Sequence, residues 1–197
     1  MSFTITVGQQ APDFHLPGID GRSYSQEYFK GSRALVILFT CNHCPYVVGS
    51  EDRMIAFYND YNDKGVAMLA VHSNDFETYP EDSWDNIIAR TKEKNLSWPA
   101  AQDATQDVAK AFGAIKTPHY FLLDADCRVV YTGRMDDNPR NPGEETTHEL
   151  RDAVDALLAG ETVPPSTEAI GCTVKWKGKD HHFVPTDMCD FDPPVGG

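Results

Sequence analysis

ALVILFTCNHCPYVV, residues 34–48, joins a continuously apolar run to a pair of cysteines followed by a proline. The apolar part, residues 34–39, is short and does not alternate with polar residues, which predicts a strand buried on both faces. Apolar residues then recur at helical spacing over residues 46–62, so we expect a helix there. The CNHC motif at residues 41–44 therefore falls where a buried strand passes into a helix.

The position of the two cysteines favours thiol chemistry. A helix N-terminus presents unpaired N–H groups and the positive end of the helix dipole, and both stabilise a thiolate. Cys41 and Cys44 are close enough in sequence to form a disulfide across the turn, and His43 adds a cation when protonated. The motif predicts a dithiol in which Cys41 is the more exposed attacking thiol and Cys44 resolves the mixed disulfide. This chemistry calls for no cofactor.

The flanking sequence predicts an α/β fold, with a mixed central sheet flanked by helices. A second apolar strand at residues 66–71 completes a β-α-β unit. Apolar stretches at residues 120–123 and 129–132 are separated by Asp-Ala-Asp, which is typical of an antiparallel hairpin. Turn residues within residues 7–31 indicate an N-terminal β-hairpin. Further helices are expected near residues 84–91, 108–112 and 146–159.

Length and composition fit one globular domain. The chain has 197 residues, of which 41% are hydrophobic and 24% charged, as in ordinary single domains with a core.

The last helix is expected to begin at a capping box formed by Thr146 and Glu149 and to end at Gly160. We therefore expect a single domain over residues 1–197, with residues 161–197 as an irregular C-terminal extension holding one short strand.

Charge and hydropathy bear on partners and location. The formal net charge of −13 repels phosphate backbones and anionic lipid surfaces, so neither nucleic acid nor a membrane is an expected partner. The N-terminus shows no secretory signal pattern, and the longest apolar run is far shorter than the roughly 20 residues that span a bilayer. We expect a cytoplasmic protein that meets protein thiols or disulfides and a thiol electron donor.

The chain resembles the thioredoxin-fold redoxin family. The resemblance rests on the CNHC motif at its strand-to-helix junction, on Thr117-Pro118 ahead of a later strand, and on the opening APDF at residues 11–14. It implies that Pro118 is a cis-proline lying against the cysteines and that the Thr117 backbone pairs with an incoming peptide. Residues 39–47 and 171–176 are similar to a bacterial group of cytoplasmic redoxin-like thioredoxin proteins.

Two departures from the related families bear on activity. Thioredoxins have Trp before the first cysteine and Gly-Pro between the two, whereas this chain has Thr40 and Asn42-His43. Histidine before the second cysteine is similar to the more oxidising exchangers, so we expect a pair less reducing than thioredoxin. In a peroxiredoxin-like alignment Cys44 would be the peroxidatic cysteine, but the activating threonine is replaced by Cys41 and the arginine is missing. Disulfide exchange is therefore favoured over peroxide reduction.

Alternative interpretations concern metal binding and residues outside the motif. In the alternative interpretation the protein is zinc-binding or non-catalytic, and the CxxC pair supplies half of the ligands of a zinc site. The other zinc ligands could be Cys172, Cys189, His181 and His182. The strand-to-helix setting favours redox chemistry. Cys172 is expected to be a small buried hydrophobe rather than an additional resolving thiol. His119 is a candidate for tuning the thiols, and the acidic stretch at residues 77–85 is expected to be a solvated loop.

Overall fold

The fold is built around a mixed five-stranded sheet in a computed structural model that describes residues 3–191. The strands are β1 (His15–Pro17), β2 (Ser23–Ser25), β3 (Ala34–Thr40), β4 (Val66–His72), β5 (Ala100–Gln102), β6 (Lys116–Thr117), β7 (His119–Asp124), β8 (Val129–Gly133) and β9 (Cys172–Thr173). The helices are α1 (Pro45–Tyr61), α2 (Trp84–Glu93), α3 (Asp107–Phe112) and α4 (Glu149–Ala159).

The central sheet has the strand order β5-β4-β3-β7-β8. Strands β3, β4 and β5 run parallel, whereas β7 pairs antiparallel with both β3 and β8. This confirms the mixed sheet and the predicted hairpin of β7 and β8. The N-terminal hairpin is present as the antiparallel pair β1 and β2. Two further short strands, β6 and β9, pair with each other antiparallel beside the cysteines.

Strand β3 carries the core on both faces, as its continuous apolar run predicts. Its alternate residues Ala34, Val36 and Leu38 pack with residues of α1 and α4, while Leu35, Ile37 and Phe39 pack with residues of α3. None of these six side chains is more than 3% exposed. Since burying one aliphatic or aromatic side chain stabilises a fold by about 1.5–3 kcal/mol, the end of β3 is firmly fixed.

Helix α1 begins directly after the cysteines. Cys44 is its N-cap residue and Pro45 occupies the first turn, where the missing proline N–H costs no helical hydrogen bond. Met54 and Phe57 face the sheet and are 1% exposed. The strand-to-helix junction therefore lies where the sequence predicts it, with Cys41 just past the strand and Cys44 at the helix end.

The expected capping box of α4 is wrong. The helix begins at Glu149 with His148 as its N-cap residue, and the Thr146 hydroxyl instead donates to the Asp137 carboxylate. Glu149 accepts from Arg134 rather than from the helix end. Long-range partners have therefore replaced the local pattern, although Gly160 ends the helix in the left-handed region, as expected.

The C-terminal extension folds back onto the sheet after α4. Val174 and Trp176 are 1% and 3% exposed and pack on the same face as α3. Strand β9 lies against β6, with Cys172 opposite Thr117. The predicted extension is irregular apart from β9 and a short 3-10 turn at Met188–Phe191, and its paired prolines at 193–194 lie outside the described residues. In residues 3–191 no helix has the length and apolarity needed to cross a membrane.

Candidate active site

Both cysteines of the motif are buried against Thr117. Cys41 is 2% exposed and Cys44 is 0% exposed, so the expectation of an exposed attacking thiol is not met in this structure. The Cys41 Sγ lies 3.3 Å from the Thr117 Oγ1, and the Cys44 Sγ lies 3.0 Å from the Thr117 carbonyl oxygen. A single residue from β6 therefore contacts both sulfurs.

The peptide bond between Thr117 and Pro118 is cis, as the resemblance implies. The Thr117 backbone, however, is already paired with β9 of the same chain. Gly171 permits this close approach, because a Cβ atom there would lie 2.2 Å from the Thr117 carbonyl oxygen. In this conformation the extension therefore occupies the edge at which the resemblance places an incoming peptide.

Cys172 is brought directly to the cysteine pair. It lies opposite Thr117 and packs against the cluster that contains Cys41 and Cys44, while the residue itself stays partly exposed. Sequence reasoning expected a small buried hydrophobe here. The difference arises because the pairing of β9 with β6 is a tertiary contact with no local signature in the sequence.

Hydrogen-bond donors lower the pKa of Cys44 to about 5. The largest contribution is the hydrogen bond from the Cys41 thiol, and burial opposes it. The Cys172 thiol and the backbone N–H groups of Cys172 and Val47 add to the lowering, as expected at a helix N-terminus. The Thr117 carbonyl accepts from the Cys44 thiol and so favours its protonated form. It is a single acceptor, whereas several donors favour the Cys44 thiolate.

The pKa of Cys41 is shifted in the opposite direction. Burial raises its pKa well above the ordinary value, and the neighbouring Cys44 and the charge of Asp82 raise it further, while the Thr117 hydroxyl acts to lower it. The two cysteines differ because Cys41 directly follows a buried strand whereas Cys44 caps the helix.

The thiolate of the reduced pair should therefore form near pH 5 and should depend on Cys44. Ultraviolet thiolate absorbance is expected to rise as the pH passes about 5, and Cys44→Ser should lose that step. A depressed native pKa stabilises the fold above the unfolded pKa, near 9.0, and this stabilisation is lost as the pH falls through about 5. Wild-type thiolate first appearing near pH 9 would contradict this account.

His43 is paired with a buried carboxylate. Its Nδ1 lies 3.0 Å from the Asp82 Oδ2, but the N–H is not aligned as a hydrogen-bond donor, so the contact is a charge pair. Asp82 raises the pKa of His43, which favours its protonated form. Because that charge is engaged by Asp82, His43 does not supply the unopposed cation expected from the sequence.

Asp82 is a site residue that sequence reasoning missed. It lies in the short 3-10 turn Pro80–Asp82, is 1% exposed, and accepts hydrogen bonds from the Asn42 backbone N–H at 2.6 Å and the Asn74 side chain at 2.7 Å. The Asn42 side chain donates to the Glu81 carbonyl at 2.7 Å. Part of the acidic stretch expected to be a solvated loop therefore holds the CNHC turn, and nothing local in the sequence distinguishes Asp82 from its acidic neighbours.

The remaining candidates are His119, which was expected to tune the thiols, and the residues that could bind a metal ion. His119 is buried and its Nε2 lies 3.0 Å from the Thr132 Oγ1, and burial lowers its pKa to about 3, so it is neutral. Over residues 3–191, two groups could share a metal ion, and neither is the zinc set of the alternative interpretation. These groups are Cys41, His43 and Asp82, which are mostly buried, and Asp180, His181 and His182, which are exposed.

Comparison with known proteins identifies the family. The Redoxin family profile matches residues 6–153, which is more than half of the chain. The chain belongs to the Redoxin family. Thiol-disulfide oxidoreductase ResA of Bacillus thuringiensis subsp. konkukian is 25% identical to this redoxin over 146 residues, covering 74% of this chain and 75% of the relative.

Solved structures show the same fold. An uncharacterized conserved protein from Geobacillus kaustophilus is 41% identical to this redoxin, with a TM-score of 0.85 over 91% of this chain and 96% of the other. The thioredoxin domain of a thiol-disulfide oxidoreductase from Bacteroides vulgatus is 20% identical, with a TM-score of 0.55 over 64% and 86% of the two chains. The thioredoxin-like fold expected from the sequence is therefore confirmed for this redoxin.

Proposed function

We propose that the protein is a cytoplasmic thiol–disulfide oxidoreductase that cycles Cys41 and Cys44 between a dithiol and a disulfide. The observation that carries this proposal is the contact of both sulfurs with Thr117, next to the cis-proline. The Redoxin family and relatives named thiol-disulfide oxidoreductases support this class of activity. Cell fractionation tests the location.

Cys41 makes the first attack in this proposal. It is the only one of the two cysteines with any exposed surface, and Cys44 is enclosed by Cys41, Thr117 and Cys172. The Cys44 thiolate accepts the Cys41 proton as the Cys41 sulfur attacks a substrate disulfide. One substrate sulfur leaves as a thiolate and then takes that proton, so the Cys44 thiolate is restored.

Cys44 then resolves the mixed disulfide. Its thiolate attacks the Cys41 sulfur, the bond between Cys41 and the substrate breaks, and the second substrate sulfur leaves as a thiolate. Two electrons have passed from the dithiol to the substrate disulfide. The lowered pKa of Cys44 suits this step, because only a thiolate attacks.

The substrates proposed are disulfides or thiols of proteins, with a thiol compound as electron donor. To test the proposal, a Cys172→Ser variant, which removes the third thiol near the pair, is reduced and treated with oxidised glutathione, and its remaining thiols are alkylated and mapped by mass spectrometry. The expected result is loss of the Cys41 and Cys44 thiols together and catalysis of disulfide reduction when a dithiol is supplied. Oxidation that spares either cysteine would contradict it.

Peroxide reduction is the second candidate function. It is favoured by the lowered pKa of Cys44, because Cys44 is the peroxidatic cysteine in the peroxiredoxin-like alignment. Against it, Cys44 is fully buried, and Cys41 replaces the threonine that would bind peroxide. We expect slow oxidation by hydrogen peroxide in stopped-flow measurements, at a rate close to that of a free thiolate. Rapid sulfenate formation on Cys44 would make the peroxidase the better assignment.

A further inference from the structure

We propose that Cys172 is a third redox thiol, which takes the disulfide over from the buried pair and presents it to the thiol electron donor. The proposal rests on the proposed function, since it adds a step to the same Cys41–Cys44 cycle. It assigns a chemical role to the C-terminal extension, which otherwise covers the site.

The geometry that carries the proposal is the docking of β9. Cys172 lies opposite Thr117 in the β6–β9 pair, and Thr117 is the residue that contacts both sulfurs of the motif. Gly171 lets the two backbones approach, because any larger residue would meet the Thr117 carbonyl. The Cys172 side chain consequently packs against the buried cluster that contains Cys41 and Cys44. Both Cys41 and Cys172 are close enough to Cys44 to influence the pKa of its thiol.

Exposure distinguishes the three thiols. Cys41 and Cys44 are 2% and 0% exposed, whereas Cys172 is partly exposed. An external thiol therefore reaches Cys172 more readily than either cysteine of the buried pair. Lys175 and Arg140 lie near Cys172, and their positive charges favour its thiolate.

The state of Cys44 controls when Cys172 can react. Burial and the neighbouring Cys44 raise the pKa of Cys172 to about 11, so in the reduced protein it remains a thiol that donates to Cys44. When Cys44 enters a disulfide it loses its negative charge, and the contribution of that charge to the raised pKa of Cys172 disappears. Cys172 therefore becomes a better nucleophile once its neighbour is oxidised.

The transfer itself is a balanced thiol–disulfide exchange. The Cys172 sulfur attacks the Cys44 sulfur of the Cys41–Cys44 disulfide, the bond between Cys41 and Cys44 breaks, and a Cys44–Cys172 bond forms. Cys41 leaves as a thiolate and takes the proton that Cys172 released, so the protein undergoes no net oxidation or reduction. A donor dithiol then attacks Cys172, releases Cys44 as a thiolate, and completes its own disulfide by displacing Cys172.

The experiment follows the disulfides and their reduction. Wild type, Cys172→Ser, Cys41→Ser and the control Cys127→Ser are oxidised with oxidised glutathione, quenched in acid, alkylated and mapped. We expect Cys44–Cys172 linkages in wild type, and these should dominate in Cys41→Ser. Cys172→Ser should still form the Cys41–Cys44 disulfide, but dithiothreitol should reduce it roughly tenfold more slowly than wild type, because the accessible sulfur is missing. Cys127→Ser should match wild type.

Two failures are distinguishable. The relay is overturned if no Cys44–Cys172 linkage forms and Cys172→Ser is reduced as fast as wild type while the Cys41–Cys44 disulfide still forms. If no Cys41–Cys44 disulfide forms in either wild type or Cys172→Ser, the proposed function itself fails, and the relay with it.

Discussion

Replacing Cys44 with serine is expected to stop turnover and to leave mixed disulfides attached to Cys41. The loss of catalysed disulfide exchange should be on the order of 10³-fold or more, because two residues that act as one unit cannot replace each other. Serine cannot resolve the bond between Cys41 and the substrate. Cys41→Ser should lose activity to the same extent but accumulate no mixed disulfide. The measurement is turnover of a model disulfide combined with non-reducing electrophoresis of the reaction mixture.

The comparison between these two variants tests the order of the cysteines. Cys127→Ser removes a thiol remote from the site and is the matched control, which should keep wild-type turnover. If Cys41→Ser accumulates mixed disulfides and Cys44→Ser does not, Cys44 makes the first attack and the proposed roles are reversed.

Replacing Asp82 with alanine is expected to destabilise the protein by about 2–4 kcal/mol, because it removes the acceptor of two hydrogen-bond donors, and a buried donor left without a partner costs about 1–3 kcal/mol. The Asn42 N–H and the Asn74 amide would lose their acceptor, and His43 would lose its counter-charge. The measurement is the free energy of unfolding from urea denaturation, and the pKa of His43 should fall in the same variant when it is followed by NMR.

The nearby Asp85→Ala is the control for this result. Asp85 is exposed, and such surface changes alter stability by no more than about 0.5 kcal/mol. Equal unfolding free energies for Asp82→Ala and Asp85→Ala would mean that the Asp82 contacts do not hold the CNHC turn.

The elements that follow from sequence are those whose cause is local. Strand β3 and helix α1 carry long apolar patterns, and their junction could be located to within a residue or two. Strands β5, β6 and β9 contain only two or three residues, too few for a periodicity to show. The capping box at Thr146 failed because Asp137, nine residues away, offers a better partner.

The candidate site likewise has features with a local cause and features that depend on residues distant in sequence. The positions of Cys41 and Cys44 follow from the motif, but the charge on each depends on residues distant in sequence. Asp82 approaches from a loop forty residues away and Cys172 from the extension. These contacts raise the pKa of Cys41 and help to lower that of Cys44, and only the tertiary structure contains them.

The most direct test of the account is a redox titration of the Cys41–Cys44 pair in defined thiol–disulfide buffers, read by alkylation and mass mapping. In Cys172→Ser, where the third thiol is absent from the site, we predict one two-electron transition that removes the thiols of Cys41 and Cys44 together, with a midpoint less negative than the value of about −270 mV for thioredoxin. In the wild type the oxidised protein should hold both the Cys41–Cys44 and the Cys44–Cys172 disulfide. If Cys41 and Cys44 remain reduced in Cys172→Ser, or oxidise independently of each other, these two residues do not form the redox centre.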